Sequence, residues 1–226
     1  FPPFPGHEID LYAVLYPARQ VGGDLYDFFI HENTLFFAIG DVSGKGIPAS
    51  LLMASTISLL RTLSSGSNSP SQIAYSLNNS IAERNEADMF VTFFIGMLDL
   101  RTGVMKYCNA GHTPPVLTSP DRTVAFFEMQ SDLPLGILKN HDYQEYTYRF
   151  VSGSGILLYT DGITDAENEK NEFSFVGMKD VIRKVKVEAN KDLKLEVYMQ
   201  MDMKSLDQVV VAAKGERKEI HDVKRQ

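Results

Sequence analysis

The run TLFFAIGDV at Thr34–Val42 is apolar, rich in aromatics and ends at a Gly-Asp step, the pattern of a buried strand. The periodicity then changes. Leu51, Leu52, Ser55, Leu59 and Leu63 recur at spacings of three and four, and Pro48 falls in the first turn, where its missing N–H costs nothing. This predicts a helix over 47–63. After a Ser/Gly-rich loop, Ser69 is placed to cap a second helix that begins at Pro70 and runs to about residue 84. Two strands, 90–100 and 104–110, read as a hairpin closed by Arg101-Thr102-Gly103, with Gly103 supplying the awkward backbone angle. Further strands are expected over 116–117, 123–128, 143–150 and 155–159, helices over 177–187 and 192–201, and a last strand over 208–213 (QVVVAA). Many hairpin-linked strands with helices in two groups predict an α+β domain of mostly antiparallel sheets.

Composition narrows the function. The 226 residues suit one domain, with a short linker end at 1–7, the domain over 8–215 and a charged tail at 216–226 that reads as a short or frayed helix. The opening Phe1-Pro2-Pro3-Phe4-Pro5-Gly6 is linker-like and predicts a module of a longer chain. A net charge of −7 argues against nucleic acid or an anionic membrane as partner. The same charge opposes a phosphorylated substrate unless cations offset it locally. The lone Cys108 excludes an internal disulfide framework and fits a reducing compartment. With no apolar run near the roughly 20 residues of a bilayer span and no signal-peptide pattern, a soluble, cytoplasmic segment is expected.

Four aspartates stand where an apolar strand stops or a glycine turn begins: Asp24 after Gly22-Gly23, Asp41 after Gly40, Asp161 before Gly162, and Asp207 before QVVVAA. A carboxylate at a strand end projects beyond a backbone held by the sheet, and adjacent glycines let a ligand approach. Each one, taken singly, also reads as a turn aspartate bonding its own backbone. If they converge, their repulsion calls for counter-charge, and oxygen-only ligands favour Mg²⁺ or Mn²⁺ over zinc. None of the five histidines (His7, His31, His112, His141, His221) has paired zinc-ligand spacing. Two carboxylate-held cations are a device for phosphoryl hydrolysis, and they remove the charge objection. The segment 40–46 (GDVSGKG) fails as a P-loop, with three residues instead of four between its glycines and Gly46 where a hydroxyl is needed. No Gly-x-Ser-x-Gly supports serine catalysis.

The segments PARQVGGDLYD (17–27), DVSGKG (41–46), NAGH (109–112), LPLG (133–136) and YTDG (159–162) occur in that order. Together they resemble the bacterial branch of the PP2C-type (PPM) phosphatases, the sporulation stage II E and sigma-factor-regulator group, over about residues 8–213. The resemblance implies two antiparallel sheets packed face to face with helices outside. It makes Asp24 and Asp41 ligands of two Mn²⁺ or Mg²⁺ ions with the Val42 carbonyl, and adds Asp161 and Asp207. The family usually has Asp-Asp or Asp-Asn at the last position, where this chain has Asp207-Gln208. Asp24, Asp41 and Asp161 would act through metal-activated water in single-step hydrolysis of phosphoserine or phosphothreonine.

By the same resemblance the substrate is a phosphoprotein such as an anti-sigma-factor antagonist, and the domain serves an upstream sensor or receiver domain. The helices within 47–84 would transmit the activating signal and offer a homodimer contact. Of the remaining residues, Asp27 reads as orienting a metal-bound water. His112 has two readings, a structural turn residue bonding a backbone carbonyl or a general acid, with the first favoured. Asp165 and Glu167 read as solvated loop or as helpers of a third cation, and Lys45 as a loop residue or a phosphate attractor. The role of Arg19 stays open. Met53, Phe93, Phe94 and Cys108 read as core. The rival functions are a pseudo-phosphatase acting as a regulated binding module and a nucleotide switch.

Overall fold

Strand β3 (Thr34–Val42) organises the molecule, buried at seven of its nine positions as its apolar run requires. It pairs antiparallel with β2 (Leu25–His31) and β4 (Val91–Asp99). With β5 (Val104–Ala110) and β8 (Tyr146–Arg149) these form a five-stranded sheet in the order β2-β3-β4-β5-β8, antiparallel throughout. The computed structural model describes residues 9–15, 23–66, 69–83, 88–160 and 193–199.

The second sheet has the order β1-β10-β9-β6-β7, from β1 (Ile9–Leu15), β10 (Leu193–Met199), β9 (Gly155–Tyr159), β6 (Val116–Thr118) and β7 (Val124–Phe126). Here β10 runs parallel to both β1 and β9, so this sheet is mixed while the first is not. Residues 193–199 thus correct the helix expected over 192–201. The segment LKLEVYM alternates apolar and polar positions, and a period of two suits a strand between two partners. The sequence pattern predicts neither β1 nor β2. The helix expected over 177–187 and the strand over 208–213 lie outside the described residues.

The period of two along each strand sorts the core into layers. Phe28, Leu35, Phe37, Ile39 and Phe94 of the first sheet pack with Ile9, Ile156 and Leu158 of the second. The alternate residues Phe36, Ala38, Phe93 and Ile95 face the opposite way, toward α1 (Ile47–Ser64) and α2 (Pro70–Ala82), where they meet Ala49, Leu60, Ile73 and Leu77. Two sheets face to face with helices outside the first make an α+β sandwich. Ser69 caps α2 as expected, its Oγ accepting from the Gln72 N–H at 3.4 Å and donating to Glu145 at 2.7 Å. Gly103 sits at φ +68° in the β4–β5 turn. Helix α1 is, by length and composition, apolar enough to cross a membrane, in contrast to the expectation that no segment comes near. Its Ala49, Thr56, Leu60 and Ser64 are nevertheless buried, and Ile47 and Leu51 are 71% and 64% exposed.

Candidate metal centre

The β2–β3 ladder determines how the first two aspartates meet. Leu25 pairs with Gly40, and the Val42 N–H donates to the Gly23 carbonyl at 3.2 Å, so the ladder continues two pairs beyond β2. Asp24 therefore stands directly opposite Asp41. Antiparallel pairs alternate between hydrogen-bonded and non-bonded, and this is a non-bonded pair, in which side chains approach most closely. Strand parity puts both carboxylates on the face that carries Phe28, Leu35, Phe37 and Ile39, at the rim between the sheets. Asp24 is 7% exposed. Like charges directly opposite each other destabilise a sheet, and desolvation strengthens the repulsion. A divalent cation held between them would offset both.

Gly23 lies against two oxygens of the expected ligand set. A Cβ built there would meet the Val42 carbonyl oxygen at 2.7 Å and Asp41 Oδ1 at 3.2 Å. Two oxygens of the expected ligand set thus both lie close to this backbone position, and glycine leaves them room. Two carboxylates and a carbonyl fit a hard cation such as Mg²⁺ or Mn²⁺. Among the described residues no group of three or more His, Cys, Asp or Glu forms a metal cluster. The other expected ligands, Asp161 and Asp207, lie outside the described residues, as do Arg19, Asp165 and Glu167. Tyr159, the end of β9, precedes Asp161 by two positions.

Behind this rim lies His112. It is buried, with Nδ1 3.0 Å from the Thr92 hydroxyl and Nε2 3.1 Å from the Tyr159 carbonyl. A carbonyl can only accept, so Nε2 carries the proton and Thr92 donates to Nδ1. Burial pushes the pKa of His112 down to about 4, and the Tyr159 carbonyl offsets this only in part. The structural reading of His112 holds. The carboxamide of Asn109 pins the His112 backbone from both sides, accepting from its N–H at 2.8 Å and donating to its carbonyl at 3.0 Å.

Asp27 belongs elsewhere. Its parity is opposite to that of Asp24, and its carboxylate accepts from Arg61 Nε at 2.6 Å and Nη2 at 2.7 Å, on α1. It also accepts from the Phe28 N–H at 2.9 Å. The reading of Asp27 as orienting a metal-bound water is therefore corrected: it anchors the helix layer. No sequence signal pairs Asp27 with Arg61, 34 positions away. Lys45 is exposed in the loop after Val42, while Phe93, Phe94 and Cys108 are core and Met53 packs against it half-buried. Sequence reasoning missed Thr92, which owes its place to the β3–β4 register that pairs it with Asp41.

Two packed sheets with helices on the outer face and paired aspartates at one rim define the class, a PP2C-like fold. The chain belongs to the SpoIIE family, since the model for stage II sporulation protein E matches residues 31–208. It is 32% identical over 162 residues to phosphoserine phosphatase RsbU of Bacillus subtilis (strain 168), across 71% of this chain and 48% of that protein. Among solved structures, the RsbU and RsbW domains of a Mycobacterium tuberculosis protein superpose with a TM-score of 0.65 at 26% identity, over 76% of this chain and 48% of that one. The PP2C phosphatase domain of SpoIIE from Bacillus subtilis, with a fragment of its regulatory domain, gives 0.60 at 22% identity, over 74% and 49%. The chain spans about half the length of each of these relatives.

Proposed function

We propose that this domain is a metal-dependent serine/threonine phosphoprotein phosphatase, the output module of a bacterial signalling protein, acting on a phosphorylated anti-sigma-factor antagonist. The observation that carries the reading is the cross-strand pair Asp24–Asp41, with the Val42 carbonyl converging on the same rim. Asp24, Asp41 and Val42 would hold cations, and Asp161 and Asp207 complete the proposed set for two Mn²⁺ or Mg²⁺ ions. When bound, such a pair supplies a water of lowered pKa and neutralises the phosphoryl charge. The chain's own part is to hold its carboxylates in register and to present a rim whose acidity the ions cancel. No side-chain nucleophile or general acid is required of it.

The sequence likeness to a phosphoserine phosphatase, RsbU, supports the substrate class. The RsbU–RsbW pairing in the Mycobacterium neighbour supports a regulatory partner close to this module. An upstream sensor or receiver domain and a homodimer contact through α1 and α2 belong to the same proposal, as does a cytoplasmic setting. The test is hydrolysis of a serine phosphopeptide by the purified chain with Mn²⁺. Chelation and Asp41→Asn are each expected to reduce turnover at least about a hundredfold, the scale of removing several kcal/mol of metal assistance. Turnover indifferent to both would end the metal mechanism.

A further inference from the structure

We infer that His112 is a positioning residue for the metal centre: its imidazole braces β4, beside Asp41, against the end of β9, and cation affinity depends on that brace. The inference rests on the metal reading of Asp24 and Asp41. Thr92 is the register partner of Asp41, and its hydroxyl meets one ring nitrogen at 3.0 Å. The other nitrogen meets the carbonyl of Tyr159, on the opposite sheet, at 3.1 Å. The ring thus crosses the gap between the sheets at the rim where Asp24 and Asp41 lie.

The brace is rigid at its base. Asn109 holds the His112 backbone, and Gly111 takes φ +76° with no room for a Cβ, which would lie 2.6 Å from Pro134. Thr113 adds a second donor to the Tyr159 carbonyl at 2.7 Å. Both imidazole nitrogens are spent in these bonds, so neither is left to protonate a leaving group. Burial keeps the ring neutral, with a pKa of about 4, and a neutral brace does not repel a nearby cation. Ligand geometry tolerates displacement of only about half an ångström, and groups that orient ligands from behind typically contribute 10–100-fold to metal affinity.

The experiment measures Mn²⁺ binding to the full chain by titration calorimetry without substrate, alongside p-nitrophenyl phosphate hydrolysis as a function of Mn²⁺. The variants are His112→Gln, Thr92→Val, which removes only the hydroxyl, and Leu77→Ala on α2 as a control for general destabilisation. His112→Gln is expected to weaken Mn²⁺ about tenfold and Thr92→Val less but in the same direction. In both, kcat at saturating Mn²⁺ should stay within about threefold of wild type. Leu77→Ala should lower Tm and leave the Mn²⁺ Kd unchanged. The inference is overturned if the two rim variants lower Tm but bind Mn²⁺ as wild type does. It is also overturned if His112→Gln lowers kcat at saturating Mn²⁺ with an unchanged Kd, the mark of a general acid. Equal Mn²⁺ binding by wild type and Asp41→Asn would instead remove the metal reading, and this inference with it.

Discussion

Replacing Gly23 by alanine adds one methyl group at the point where the proposed ligands converge. The new Cβ would lie 2.7 Å from the Val42 carbonyl oxygen, 3.2 Å from Asp41 Oδ1 and 3.3 Å from Val42 Cβ. The nearest of these is backbone, held by the β3–β4 ladder, so it cannot swing away as a side-chain tip would. Comfortable carbon contacts begin near 3.5 Å, so relief requires a shift of roughly half an ångström or more in the Gly23 or Val42 backbone. Overpacking of this kind typically costs about 1–3 kcal/mol. Gly23 needs no left-handed conformation, so alanine returns about 0.4–1 kcal/mol by restricting the unfolded chain. The net expectation is a loss of roughly 1–2 kcal/mol, or a Tm about 2–8 °C lower for a domain of this size. The larger consequence is for binding: the Val42 carbonyl and the Asp41 carboxylate must move, and Mn²⁺ affinity should fall about tenfold. Thermal unfolding with and without Mn²⁺, paired with calorimetry, reads both effects. A Gly23→Ala variant with wild-type Tm and wild-type Mn²⁺ affinity would refute the convergence of these oxygens.

Acidification should destabilise the fold through His112. Its folded pKa of about 4 lies below the ordinary 6.5, so between these values the unfolded chain binds more protons and stability falls as pH drops. The loss approaches about 3 kcal/mol by pH 4, and denaturant melts of His112→Gln should show a correspondingly flatter slope between pH 6.5 and 4. Arg61→Met leaves the buried Asp27 carboxylate with the Phe28 N–H and no guanidinium. Because the Arg61 side chain is 55% exposed, the expected cost is about 1–3 kcal/mol rather than that of a fully buried pair, and an unchanged Tm would contradict the anchoring role. Burial pushes the Cys108 thiol up to about 12, so thiol reagents at pH 8 should label it only on unfolding; fast native labelling would show that the strand opens.

Much of the fold could be read where the signal is local. The nine-residue strand ending at Val42, the start of α1 at Ile47, the Ser69 cap and the Gly103 turn were all expected and found, because periodicity, capping and turn chemistry act within a few residues. Strand β2 escaped because Asp27 interrupts its apolar pattern, and that aspartate is tolerated inside only because Arg61 reaches it from α1. The helix expected over 192–201 failed because helix and strand patterns compete in short segments, and pairing with β1 and β9 decides for the strand.

The site divides in the same way. The sequence alone, through the order of its glycine-aspartate motifs, determined the family resemblance, and from that resemblance came the expectation that Asp24, Asp41 and Asp161 meet around hard cations. Only the tertiary structure decided which side chains face which way. Register put Asp24 opposite Asp41, parity sent Asp27 to the helix layer, and the closeness of two sheets gave both ring nitrogens of His112 hydrogen-bond partners. These outcomes depend on pairing between residues far apart in the chain, and a shift of one position in a strand would exchange every one of them.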